Sequence, residues 1–140
     1  MDLNLKGKKV FVSGSSRGIG LVIAKKFIDE GAHVVINSRN EDDLRVVEMA
    51  LKNCSGVAGD VSNPEDALKV ISEGAAILGG VDIVICNVGS GTSVKPGAET
   101  FKEWQRVFGV NFFSTTNLVE ASVRFLEKSK GCFVCISSIC

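Results

Sequence analysis

The sequence predicts a doubly wound α/β domain, a parallel sheet in the strand order 3-2-1-4-5 with helices on both faces. Two observations carry this. Short runs of Val, Ile and other apolar residues alternate five times with amphipathic helical patterns, with little linker between them. The apolar fraction is 45%, rich in Val, Ile, Leu, Ala and Gly, which suits strands buried on both faces. Strand, helix, strand, repeated, forces parallel pairing with right-handed crossovers. The 140 residues form one domain, 1–140, long enough to bury a hydrophobic core.

The elements follow in order. Residues 10–12 read as a first strand. Residues 18–30 read as a helix whose stripe is Gly20, Ile23, Ala24, Phe27 and Ile28, stopped at Gly31. Val34, Val35 and Ile36 form a second strand. Asn40 is a good cap for the next helix, with Glu41, Asp42 and Asp43 favourably placed in its first turn. Residues 56–59 read as a short third strand. Ser62-Asn63-Pro64-Glu65 reads as a capping box, opening a helix that runs to Gly79-Gly80. Residues 81–86 are a fourth strand. A loop with Gly89, Gly91 and Pro96 follows. Thr100-Phe101-Lys102-Glu103 is a second capping box, before a helical stretch to about Lys128. Residues 132–136 close the series as a fifth strand.

Composition excludes several classes. Sixteen basic and sixteen acidic residues cancel and are scattered, so no basic stripe points to nucleic acid and no polybasic run to a membrane surface. No apolar run approaches the roughly 18 residues of a membrane span. The five cysteines are an odd number and several lie in apolar runs, which reads as reduced thiols in a cytoplasmic protein without a signal peptide. Cys132 and Cys135 have C-x-x-C spacing, but residues three apart on a strand point to opposite faces, so no metal site is expected. His33 reads as structural. Phe101, Trp104, Val107 and Phe108 read as a core or subunit-facing stripe.

The chemistry concentrates at strand ends. The first strand runs into Ser13-Gly14-Ser15-Ser16-Arg17-Gly18-Ile19-Gly20. Gly14 permits a tight turn. Gly18 and Ile19 offer bare backbone N–H groups at a helix N-terminus, where a pyrophosphate is favoured. Gly20 lets the helix pack close. This Gly-x-x-x-Gly-x-Gly spacing, between a strand and a helix, resembles the short-chain dehydrogenase/reductase family, and the likeness runs along all 140 residues. The fold is then Rossmann-like and the cofactor a nicotinamide dinucleotide. An NAD site places an acid at the end of the second strand to bond the ribose hydroxyls. Here Ile36-Asn37-Ser38-Arg39 has none. Arg17, Ser38 and Arg39 suit a phosphate dianion instead, so NADP(H) is expected, with Ser16 in the same loop.

The resemblance implies further roles. Asp60-Val61 is similar to the family's adenine pocket. Cys86-Asn87-Val88-Gly89 is similar to its Asn-Asn-Ala-Gly motif, with Asn87 and Gly89 matching, while Cys replaces the first Asn and Val the Ala. Asn111 matches an Asn that distorts its helix and supports the proton relay. Ser138 matches the catalytic Ser that orients the substrate carbonyl, with Ser137 as its neighbour. The family's Tyr-x-x-x-Lys motif lies beyond, and this sequence contains no Tyr. The chain thus reads as the first half to two-thirds of a member, inactive alone. Its parent is expected to be a homo-oligomer, a dimer or tetramer, acting on a small carbonyl or alcohol. Two other readings stand beside this one. A nucleotide- or partner-binding module could end here by design. A class I methyltransferase shares the sheet order, but Ser38-Arg39 stands where its cofactor ribose needs an acid.

Overall fold

A computed structural model describes residues 3–138. Five strands, β1 (Lys9–Val12), β2 (His33–Ser38), β3 (Cys54–Ala58), β4 (Ile83–Cys86) and β5 (Cys132–Cys135), form one sheet. Its order is β3-β2-β1-β4-β5 and every pair is parallel, as the alternating pattern requires. The helices are α1 (Gly18–Asp29), α2 (Glu41–Ala50), α3 (Pro64–Leu78), α4 (Phe101–Phe108) and α5 (Ser114–Ser129). A π-helical segment, Gly109–Phe113, joins α4 to α5.

Successive strand residues point to opposite faces, and the core divides accordingly. Val10, Val12, Val34, Ile36 and Ile85 meet the helices α1 and α2 on one face through Ala24, Leu44 and Val47. Phe11, Val35, Val57, Val84 and Cys86 meet α3 and α5 on the other through Val70, Ile71, Ala75 and Leu118. Burial pushes the Cys86 thiol far above its ordinary range, with the neighbouring Cys135 adding to the effect.

Local chemistry moves some boundaries from those expected. The α3 cap is Asn63 rather than Ser62: its Oδ1 accepts from the N–H groups of Glu65 and Asp66 at 2.9 and 3.1 Å. Thr100 does cap α4, accepting from Glu103 N–H at 3.2 Å. β3 starts two residues earlier than its apolar run, because Cys54 and Ser55 extend the ladder against Val34 and Val35. Gly56 lets α2 lie close, since an added Cβ there would stand 2.8 Å from Leu44 Cβ. β4 begins at Ile83 because the Asp82 carboxylate takes the Lys9 N–H at 2.8 Å.

β5 lies at the end of the sheet, with Val134 and Ile136 about two-fifths exposed. It carries no charge and no Pro, the usual guards of an edge strand. This 140-residue chain is therefore expected to sediment as species heavier than a monomer, and Val134→Lys to shift the distribution toward monomer. A wild-type chain that sediments as a monomer at micromolar concentration contradicts this.

Candidate functional site

The sheet order reverses at β1, which pairs with β2 on one side and β4 on the other. Crevices for ligands form at such a reversal, outside the carboxyl ends of the strands. Here the crevice is a cleft of about 390 Å³. Gly14, Ser16 and Arg17 line it from the β1 loop, Ser38 and Arg39 from the end of β2, Gly59, Asp60 and Val61 from the end of β3, and Asn87 and Gly89 from the end of β4.

Short polar side chains fix the floor. Ser13, fully buried, donates its hydroxyl to the Ile85 carbonyl at 3.3 Å and accepts from Asn87 N–H at 3.0 Å. Ser15 donates to the Val12 carbonyl at 2.5 Å and accepts from Asn37 N–H at 3.0 Å. The buried Asn37 amide donates to the carbonyls of Val57 and Gly59 at 3.0 and 3.2 Å. Asn87 donates to the carbonyls of Ser13 and Gly14 at 3.3 and 3.0 Å. Each buried polar atom is thereby satisfied while it ties two strand ends together.

The glycines set the loop above this floor. Gly14 and Gly18 both have φ of +58°. At Gly18 an added Cβ would meet nothing within 4 Å, so its backbone is open to the surroundings. Gly20 is the opposite case. A Cβ there would collide with the Gly14 carbonyl, 2.6 Å from Asn87 Nδ2 and 2.9 Å from Ser15 Cα. α1 also lacks the side-chain cap that Asn40, Asn63 and Thr100 supply to α2, α3 and α4. Its first N–H groups, where Gly18, Ile19 and Gly20 stand, suit a dianionic group.

The profile of the short chain dehydrogenase family matches residues 8–140. The chain belongs to that family. It is 34% identical to a glucose 1-dehydrogenase of Gluconobacter oxydans, over 95% of this chain and 53% of that protein. It is also 34% identical to an L-fucose dehydrogenase of Mus musculus, over 95% and 49%. Among solved structures, the L-sorbose reductase of Gluconobacter frateurii, complexed with NADPH and L-sorbose, superimposes with a TM-score of 0.94 at 32% identity. That match covers all of this chain and 56% of the reductase. The chain spans about half the length of the curated relatives it matches.

In this short chain dehydrogenase chain, other expected residues lie at the margins. Asp60 serves first as a local acceptor: its Oδ1 takes the Ser62 N–H and hydroxyl at 3.0 and 2.7 Å. Its Oδ2 stands 4.0 Å from Arg39, an exposed pair of little energetic weight. Asn111 is at the centre of the π-helical segment, where Oδ1 accepts from Ser90 N–H at 2.7 Å and Nδ2 donates to the Ser90 carbonyl at 3.0 Å. Ser138 is exposed, three residues past β5, and is not part of the cleft lining. Ile139 and Cys140 lie outside the described residues.

Sequence reasoning missed Ser13, Ser15, Asn37, Ser90, Arg106 and Val110. The signal for Asn37 was available, since an Asn inside an apolar strand must find buried partners; Ser13 and Ser15 lie past β1, in the glycine loop. Arg106 and Val110 enter the cleft wall from the far side of a long loop, which spacing does not reveal.

Gly20→Ala should cost about 1–3 kcal/mol through the collision described. Urea denaturation checks this, and an unchanged midpoint contradicts the close approach. Cys54 gives a pH test. Burial, then Glu48, raises its thiol from 9.0 to about 11. The folded chain favours the neutral thiol, so stability is intact below pH 9 and should fall as pH rises from 9 to 11. Cys54→Ser should flatten that alkaline limb in thermal melts.

Proposed function

We propose that the protein is an NADP(H)-dependent oxidoreductase that interconverts a small carbonyl compound and its alcohol. The observation that carries the cofactor choice is the cleft wall at the end of β2. Ser38 and Arg39 stand there, Arg17 lines the same cleft, and no acid occupies the position that bonds an NAD ribose. A dinucleotide fits the cradle on physical grounds: Gly18 opens its backbone outward and the α1 N-terminus has no side-chain cap. The solved sorbose reductase, complexed with NADPH, supports the same reading by likeness.

In this reading Gly14, Ser16, Gly18, Ile19 and Gly20 hold the pyrophosphate. Arg17, Ser38 and Arg39 take the 2′-phosphate, and Asp60 and Val61 border the adenine. Asn87 and Gly89 form the wall beside the nicotinamide, which supplies or accepts the hydride when bound. Ser138 donates a hydrogen bond to the substrate oxygen and holds the carbonyl in place. Asn111 fixes Ser90 and thereby the loop on the path of the proton. The proton donor is the family's Tyr, which these 140 residues do not contain.

The substrate is a small alcohol or carbonyl, the class common to the named relatives. Self-association belongs to the same proposal. None of the α4 residues is buried, so its apolar stripe is not core, and Trp104, Phe108, Phe112 and Phe113 form an exposed aromatic row. Such a row suits a subunit contact. A cytoplasmic location is proposed from the cysteines: Cys54, Cys86, Cys132 and Cys135 are free thiols.

Titration calorimetry should show NADPH binding tighter than NADH, each charge-assisted bond to the phosphate contributing roughly 1.5–3 kcal/mol. Arg39→Asp should erase or reverse the preference. Equal affinities in the wild type overturn the cofactor assignment. With no Tyr, this chain alone should oxidise NADPH no faster than background. Turnover that requires both a carbonyl substrate and Ser138 would show the proton-donor assignment to be wrong.

A further inference from the structure

The segment between β4 and α4, residues 87–99, has no regular secondary structure. It nevertheless forms part of the cleft wall through Asn87, Val88, Gly89 and Ser90. Asn111 grips it at Ser90, through both the N–H and the carbonyl. A second grip lies two residues on, where Arg106 Nη2 donates to the Thr92 carbonyl at 2.7 Å. The same guanidinium donates twice to Glu103, at 2.9 and 2.6 Å.

This pair differs from the other ion pairs among the described residues. In those, both side chains are at least 42% exposed, whereas Glu103 is 14% exposed. A two-bonded guanidinium–carboxylate pair has fixed geometry, so the N–H left over points in a fixed direction. One grip at Ser90 would let the loop pivot. Two grips, two residues apart, set its direction as well. Arg106 lies in the cleft wall beside Ser90 and Val110.

We propose that Glu103 and Arg106 are positioning residues: their pair latches the Ser90–Gly91–Thr92 run to α4 and so holds the Asn87–Gly89 wall in shape for the nicotinamide dinucleotide. The consequence for the dinucleotide rests on the NADP(H) reading above, while the latch itself does not. The hydrogen bond from Arg106 also holds the Glu103 carboxyl below its ordinary range, with the Val94 N–H adding to the effect. The pair therefore persists at mildly acidic pH.

The test separates a latch from an ordinary helix ion pair. Amide hydrogen exchange is followed at Ser90 and Thr92, whose N–H groups bond Asn111 Oδ1 and Ser90 Oγ. NADPH and NADH affinities are measured on the same samples by calorimetry. Three forms are compared: wild type, Arg106→Ala, and the double exchange Glu103→Arg with Arg106→Glu. The exchanged pair keeps both charges on α4 but turns a carboxylate toward the Thr92 carbonyl. Exchange at Ser90 and Thr92 should rise about tenfold in both variants, with β1 and β2 amides unchanged as the sign of an intact core. NADPH affinity should fall about three- to tenfold, with the NADPH-to-NADH ratio preserved, because that ratio reads Arg17 and Arg39. Wild-type protection in the double exchange overturns the latch. Faster exchange with unchanged NADPH affinity overturns its link to the cleft. A wild type that binds neither dinucleotide overturns the cofactor reading and that link together, and the exchange data still decide the latch.

Discussion

The contact on which the rest depends is the approach of α1 to the seam between β1 and β4. Gly20 has no side chain, so the first turn of α1 can rest against the Gly14 carbonyl, the Ser15 backbone and the Asn87 amide at once. With any larger residue the helix would have to stand off. The Asn87 amide would then lose its hold on the Ser13 and Gly14 carbonyls, and the β1 loop its shape. The cleft exists because the chain turns to one side of β1 for β2 and β3 and to the other for β4 and β5. It has a defined floor because small polar groups, not apolar ones, close that seam.

These polar groups also show what a sequence displays and what it hides. The strands were legible because Val, Ile and Phe gather in short unbroken runs, as strands buried on both faces require, and the alternation of side chains along a strand then decides which face each residue takes. The Asn40 and Thr100 caps were legible for the same kind of reason, being local. The α3 cap was displaced by one residue because Ser62 and Asn63 are both good acceptors, and Ser62 is already engaged with Asp60. The glycine loop was legible by spacing and chemistry together. Ser13, Ser15 and Asn37 were harder. Each also bonds a strand distant in sequence, Ser13 to β4, Ser15 to β2 and Asn37 to β3, so that partner cannot be named before the register is known.

Asp60 illustrates how one carboxylate can be read in two ways. An acid after β3 has a local use, closing the turn into α3 through Ser62, and that use needs no ligand. It also lines the cleft, within 4.0 Å of Arg39. The two uses are compatible because a carboxylate has two oxygens, and Ser62 occupies only Oδ1. What the local bonds add is rigidity. A side chain held by its own turn presents its second oxygen at little further entropic cost.

The π-helical segment separates two faces that a continuous α-helix would merge. Positions 104, 108, 111, 115, 118 and 122 are spaced four, three, four, three and four apart, the signature of one face of a continuous α-helix. On that basis Trp104 and Phe108 should share burial with Leu118 and Ser122. They do not: Trp104 is 53% exposed and Phe108 48%, while Leu118 and Ser122 are fully buried. A π turn takes in an extra residue, and one residue rotates the following helix by about 100° relative to the preceding one. Gly109–Phe113 therefore puts α4 and α5 out of phase, freeing the α4 stripe from the core that α5 joins. Such a turn weakens local helical bonding, and here the two Asn111 bonds to Ser90 offset part of that loss. The same residue thus ends one helical phase, begins another, and ties both to the loop that walls the cleft.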